Sequence, residues 1–509
     1  MSAAGNVIRL HPADEVVVAC RDIPAGEPIS GEDCSAEDAI PSGHKLAVQT
    51  LQAGAQVHKY DQIIGMATRE IRPGQHVHEH NLGMSQRSGE YASGAGMPVA
   101  EQLPADKRAS FAGFRRDDGQ VGTRNFLGIL TSVNCSATVA QQIAREAERR
   151  GLLDPFPNVD GIVALTHGSG CGMAGGGEGH AILERVLAGY ARHPNFAAVI
   201  IIGLGCEVNQ IDGLVERAGL VKGERLHTFT IQDSGGTRAS VERGVGLINA
   251  LLPSANRARR EPCPASALTL ALQCGGSDGF SGISANPALG AAVDLLVRHG
   301  GTAILSETPE IYGAEHLLMR RAINEDVARA LVARVQWWED YTRRHAAEMD
   351  NNPSPGNKAG GLTTILEKAL GSAAKGGTTA LTGVCGYAEP APSGGLVFMD
   401  SPGYDPASVT GQVASGANAI CFTTGRGSVF GFKPVPSIKI ASHSDLYRRL
   451  GDDMDINAGR IVDGEMDVTE LGAEIFRTVL DTASGQPTRS ELLGFGDAEF
   501  VPWQLGAVM

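Results

Sequence analysis

Along the first 84 residues, short apolar stretches (Val16–Ala19, Val57, Ile63–Ala67) alternate with turn sequences such as Pro24-Ala25-Gly26 and Pro73-Gly74. That rhythm predicts a small all-β module at 1–84. Residues 85–112 lose the period and are rich in Gly, Ser, Pro and charge, which predicts a linker. From 113 the pattern becomes apolar strand runs alternating with helical periodicity. Phe126–Val133, Gly161–Leu165, Ala198–Ile202 and His227–Ile231 read as buried strands, with helices over Ala137–Arg150 and His180–Arg192 between them. This predicts an α/β domain at 113–255 with a mostly parallel sheet. A polar break, PSANRARREPCP at 253–264, precedes a second α/β region at 262–509. Its expected strands are Ala267–Leu272, Thr302–Leu305, Leu396–Met399, Ala419–Thr423 and Ser437–Ile440.

Composition narrows what such a chain can do. At 509 residues several domains are expected. The 66 glycines, without a collagen period, imply many places where backbone approaches a ligand or a neighbour closely. A net charge of −14 argues against nucleic acid or an anionic membrane as partner, while leaving room for a local basic pocket that takes an acid. No run is apolar for long enough to span a membrane, and the N-terminus lacks the pattern of a signal peptide, so a cytoplasmic protein is expected. The odd count of nine cysteines fits free thiols in a reducing compartment. A homo-oligomer is expected.

Chemistry-bearing residues fall into three groups. In HVHEHN, strand alternation would put His76, His78 and His80 on one face, an arrangement that chelates a divalent transition metal; a solvated edge strand is the plain alternative. In the same module, His44-Lys45 and His58-Lys59-Tyr60 are candidates for moving protons. The second group is four cysteines at expected strand ends, Cys135, Cys171, Cys206 and Cys274. They could share a pocket as ligands to a soft metal or an iron–sulfur cluster, or be small buried residues. The third is a set of glycine-rich loops: CGGSDG with Ser277 and Asp278, PGNKAGG with Asn357 and Lys358, and TTGRG with Arg426. Their amides and cations suit a carboxylate or polyol, and none has the spacing of a phosphate loop. Glu307 and Glu310, after the run TAILS, could ligate a metal or move protons, or merely begin a helix.

The order GHK, KY-x₃-IG, HVHEHN, DGQVGTRN, GLGCE, CGGSDGFSGISANP, NPSPGNKAGGL and FTTGRG resembles the altronate/galactarate dehydratase family over nearly the whole chain. The resemblance implies an N-terminal β-clip of the SAF type followed by two α/β regions. It also implies loss of water from an aldonic or aldaric acid to give a 2-keto-3-deoxy acid, and a divalent metal, ferrous iron or manganese. Two segments depart from the family pattern: Asp61 stands where glycine usually follows the tyrosine, and SVFGF follows FTTGRG where TPYG is usual. On this reading His76, His78 and His80 hold the metal, His44, Lys45 and Tyr60 move protons, and Lys358 and Arg426 grip the acid. Altronate is the substrate expected. Galactarate dehydration, sulfite elimination from sulfolactate, iron–sulfur dehydratase chemistry and a non-catalytic sugar-acid sensor remain as alternatives.

Overall fold

The computed structural model describes residues 5–85 and 96–508. The all-β expectation for the N-terminal module holds. Its apolar runs become two antiparallel sheets: one of Val7–Ile8, Val16–Ala19, Lys45–Ala47 and His76–Val77, the other of Gln56–Lys59, Gln62–Ala67 and Leu82–Gly83. Each strand is short, and the residues they bury (Val16, Val57, Ile64, Val77) pack on Ala314, Ala369 and Leu370 of the third region. The module is thus docked on the α/β body by an apolar face.

Both α/β regions contain all-parallel sheets. The second carries four strands in the order Gly161–Leu165, Phe126–Thr131, Phe196–Gly203, Leu226–Thr230. The third carries seven, in the order Leu381–Cys385, Gly395–Met399, Thr302–Leu305, Thr269–Cys274, Ala419–Thr424, Ser437–Ala441, Ile456–Asn457. Thr302–Leu305 and Gly161–Leu165 fall where the apolar runs put them. Strands Leu381–Cys385 and Ile456–Asn457 escaped the pattern because the first alternates apolar residues with Thr and Gly and the second is two residues long.

Two polar stretches do more than connect. Of the expected linker 85–112, residues 86–95 lie outside the described residues, and the last three begin strand Ser110–Arg115. That strand pairs antiparallel with Arg260–Pro264, from the expected polar break, and with Val121–Gly122. The buried Phe111 and Cys263 place this ribbon on the core of the third region, which no composition rule would reveal.

Candidate functional site

The loop before strand Lys45–Ala47 meets the glycine-rich loops of the third region backbone to backbone. A β-carbon on Gly279 would lie 2.0 Å from the Gly43 carbonyl oxygen, and one on Gly361 2.4 Å from it. Gly279 N–H donates to Gly360 O at 2.8 Å, and the amides of Gly425 and Arg426 donate to Gly276 O. The three loops near 275, 357 and 425 and the β module therefore converge within one chain.

At this junction His44 Nδ1 lies 3.0 Å from His76 Nε2, and His44 Nε2 lies 3.3 Å from Ala359 O. The ring of His78 stands 5.0 Å from that of His44 and 5.2 Å from that of His76. One nitrogen from each of His44, His76 and His78 falls within 4.8 Å of the other two. The alternation that was to align His76, His78 and His80 stops early. The strand ends at Val77, and Asn81 bends the chain by accepting from His78 N–H at 2.9 Å and donating to His76 O at 2.8 Å. His80 is exposed beside His76, with rings 5.5 Å apart, and the third member of the trio is His44.

Burial, helped by the mutual repulsion of the rings and by Lys45, holds His76 down to about 3 and His78 down to about 4; His44 is lowered for the same first reason. All three are neutral near pH 7, the state in which imidazole binds a metal. His78 Nδ1 is buried without a hydrogen-bond partner. Neutral, close and with a lone pair unclaimed, the trio fits a divalent cation.

Behind it runs a buried charge chain. Lys45 Nζ donates to Gly361 O at 2.7 Å and to Glu367 Oε2 at 2.8 Å, and Lys59 Nζ donates to Glu367 Oε1 at 2.9 Å. Thr363 adds its amide and hydroxyl to the same carboxylate. Two ammoniums hold Glu367 ionised far below the carboxylate range despite its burial. Desolvation and repulsion from Lys59 bring Lys45 down to about 8, within reach of proton transfer.

Tyr60 follows Lys59 in a two-residue hairpin. Both turn residues are left-handed, Tyr60 at φ 63° and Asp61 at φ 57°, and Asp14 accepts their two amides at 3.0 and 2.9 Å. A residue at such a φ is cheapest as glycine, so Asp61 occupies the position where the family pattern has glycine for a backbone reason. The turn aims the Tyr60 hydroxyl at Gly282, whose β-carbon would lie 2.7 Å from it. Burial raises the phenol's pKa and keeps it a proton donor. It lines a cavity of about 10 Å³, roughly one water, shared with Lys59, Ser277, Asn286 and Lys368.

The expected substrate residues divide in two. Asp278 accepts from Ser281 N–H at 2.9 Å and Oγ–H at 2.8 Å and from Ser442 Oγ–H at 2.9 Å. Asn357 donates to Ser277 O at 2.9 Å and accepts from Ser354. These three residues pin the loops together. Lys358 and Arg426 instead stand toward solvent: Lys358 Nζ donates to Glu79 Oε1 at 2.8 Å beside the histidines, and the exposed Arg426 lies against Gly276 and Gly360.

The four cysteines do not share a pocket. Cys135, Cys171 and Cys206 are exposed on the second region, whereas Cys274 ends a strand of the third region's sheet and is buried. It receives a hydrogen bond from Lys375 Nζ at 2.9 Å and faces Glu310, forming a second group of three close ligand atoms with Glu307 and Glu310. Lys59, a proton-transfer candidate of the β module, thus joins Lys45 on one carboxylate, whereas Glu367, Lys368, Lys375 and Asp405 carry no signal in the sequence that marks them as site residues. A Glu-Lys pair in a helix ordinarily marks a solvated face, and only the near absence of other charge in ILEKALGSAA (Ile365–Ala374) hints at burial.

Family descriptions match end to end: an altronate/galactarate dehydratase SAF domain at 5–85, the second domain of D-galactarate dehydratase/altronate hydrolase at 113–256, and the C-terminal domain of D-galactarate/altronate dehydratase at 265–508. The chain belongs to the altronate/galactarate dehydratase family. Among this family's members it is 36% identical to altronate dehydratase of Bacillus subtilis over 96% of both chains. It is 39% identical to galactarate dehydratase (L-threo-forming) of Escherichia coli, covering 94% of this chain and 93% of that one. The (2R)-sulfolactate sulfo-lyase subunit beta of Chromohalobacter salexigens is 34% identical over 76% of this chain and 96% of its own. Family membership makes this dehydratase a hydro-lyase by class, and among its described residues no helix is long and apolar enough to cross a membrane.

Proposed function

We propose that this dehydratase removes water from a sugar acid of the altronate type, at the crevice between the β module and the glycine-rich loops. The observation that carries the reading is the trio His44, His76 and His78, neutral and pressed against the loop that bears Ala359 and Lys358. The trio would hold a divalent cation, ferrous iron or manganese, which when bound supplies positive charge beside the oxygens of the acid.

The chain's own groups supply the rest. Lys358 and Arg426 bring two cations to the mouth, and the Arg426 guanidinium matches a carboxylate bidentately. Lys45, brought down to about 8, would exchange the C2 proton, giving up its own bonds to Glu367 and Gly361 in the process. Tyr60, kept protonated, is the acid available to a departing hydroxide, and Glu367 keeps Lys45 and Lys59 from drifting apart. A positioned acid or base is worth about 10²–10⁴-fold in rate. The buried junction of Gly43 with Gly279 and Gly361 excludes water from behind the reacting carbons.

Galactarate is the second reading, favoured by the 39% identity to the Escherichia coli enzyme. Both are tested by assaying altronate, galactarate and sulfolactate side by side, after chelation and with metal restored. Turnover of altronate that falls by at least about 100-fold in Arg426→Ala, with the fold intact, is the expected result. Turnover of none of the three acids, with tight binding of one, would replace the enzyme by a sensor.

A further inference from the structure

The second region ends three neighbouring parallel strands, Gly161–Leu165, Phe126–Thr131 and Phe196–Gly203, at one edge, and each is followed within a few residues by a cysteine. In open α/β sheets this carboxyl edge is where ligands bind. Cys171, Cys135 and Cys206 are all exposed there, although cysteine is among the residue types most often buried.

The three loops are tied to one another rather than merely adjacent. Asn134 N–H donates to Ser169 O at 2.9 Å, joining the Cys135 loop to the Cys171 loop. Asn209 N–H donates to Gly170 O at 3.1 Å, and Asn209 Nδ2–H donates to Ser132 O at 3.0 Å, so the Cys206 loop is joined to both. Ser132 Oγ–H adds a bond to the buried Glu207, next to Cys206, at 2.6 Å. Gly170, at φ 99°, lets the Cys171 loop approach so closely that a β-carbon there would sit 2.3 Å from Ser132 O. Gln232 Nε2–H donates to Cys206 Sγ at 3.7 Å, a donor that favours an electron-rich sulfur.

Among the described residues, the groups of three ligand atoms drawn within 4.8 Å of one another are the histidine trio and Cys274 with its two glutamates. The three exposed sulfurs are not one of these groups, so at least one pair of them lies more than 4.8 Å apart. Thiolates of a multi-iron cluster stand apart in this way, because each binds a different iron. Cys274 is excluded as a fourth ligand, since it is buried in the other sheet against the Lys375 ammonium.

We propose that Cys135, Cys171 and Cys206 hold a [4Fe–4S] cluster by three thiolates, with the fourth iron left open to an oxygen ligand. Binding releases the three thiol protons. Two ferrous and two ferric ions with four sulfides assemble the cluster without any further oxidant. This site is independent of the histidine crevice and does not rest on the function proposed for it.

The test uses the full chain under anaerobic conditions, supplied with equal ferrous and ferric iron and with sulfide, then desalted. About four irons and four sulfides per chain, with a broad visible absorbance, are expected. Mild oxidation should release one iron and leave a three-iron species visible by electron paramagnetic resonance, because the open corner lacks a thiolate. Cys135→Ser, Cys171→Ser and Cys206→Ser should each retain less than about a third of the wild-type sulfide. Cys274→Ser and His78→Ala should retain it all, and His78→Ala separates this site from the crevice. Circular dichroism checks that the variants are folded. Iron without sulfide, or serine variants that keep as much sulfide as wild type, would overturn the proposal.

Discussion

Among the described residues, two places bring three potential metal ligands within 4.8 Å, the imidazoles of His44, His76 and His78, and the thiol and carboxyls of Cys274, Glu307 and Glu310. Their donor spacing is alike and their charge balance is opposite. The histidines are half-buried or nearly buried, neutral, and leave His78 Nδ1 unclaimed. The second group is buried and already supplied with cations: Lys375 Nζ lies 2.9 Å from Cys274 Sγ and 3.8 Å from Glu307 Oε2, and Lys368 Nζ lies 2.7 Å from Glu310 Oε1. Burial and the Glu310 charge push the Glu307 carboxyl well above its usual range and so keep it neutral, and two ammoniums against the one remaining carboxylate leave no net negative charge to attract a divalent ion. Spacing nominates both groups, and electrostatics keeps the first.

The largest effect that would break this contrast is on metal affinity. His78→Ala should weaken ferrous or manganous binding by more than the about 10–100-fold typical of losing an outer-shell partner, because it removes a ligand itself. Glu310→Gln should leave that affinity within about twofold of wild type. Isothermal titration of the chelated protein measures both. Equal losses in the two variants would mean that the lysines do not keep the buried group closed to cations.

A smaller effect separates the groups by pH. Burial and the Glu310 charge push Asp405, next to the buried group, up to about 7. A carboxyl raised in the folded state contributes stability that is full below about pH 4 and is lost as pH climbs to about 7. The histidines act the other way: lowered to about 3 and 4, they stay neutral while the unfolded chain protonates, so stability drains as pH falls below about 6.5. Asp405→Asn should therefore flatten the decline between pH 4 and 7 and leave the acid-side loss unchanged. Unfolding midpoints across pH read this directly, and an Asp405→Asn profile parallel to wild type would refute it.

The contrast also marks how far the residues could be read in advance. Apolar runs such as Gly161–Leu165 and Thr302–Leu305 sit in fully packed sheets, where burial on both faces leaves few alternatives. The glycine loops at 275, 357 and 425 signal close approach, and they do approach one another. The histidine trio was only partly legible. Strand alternation supplied the wrong reason for His76 and His78, and it named His80 where the tertiary fold brings His44. Lys45, Lys59 and Glu367 meet across about 300 residues of chain, and no local period encodes a contact of that range. Asp278 and Asn357 look like ligands to a substrate because the hydrogen-bonding groups that pin a loop are the same groups that bind one.

The smallest predicted effect bears on how freely each group's lysine can change partner. Lys358 and Glu79 pair at 2.8 Å with 27% and 49% of their side chains exposed, so the bridge is worth at most about 1 kcal/mol. Lys375, with no exposed surface, has no comparable freedom. If Lys358 leaves Glu79 to meet an incoming carboxylate, Glu79→Gln should lower KM severalfold by removing the competitor, with kcat and the melting temperature nearly unchanged. Raised salt should narrow the KM difference, since it screens the exposed pair in the wild type. A KM that rises in Glu79→Gln, or a melting temperature that drops by several degrees, would instead make Glu79 part of what holds the module in place, and Lys358 as fixed as Lys375.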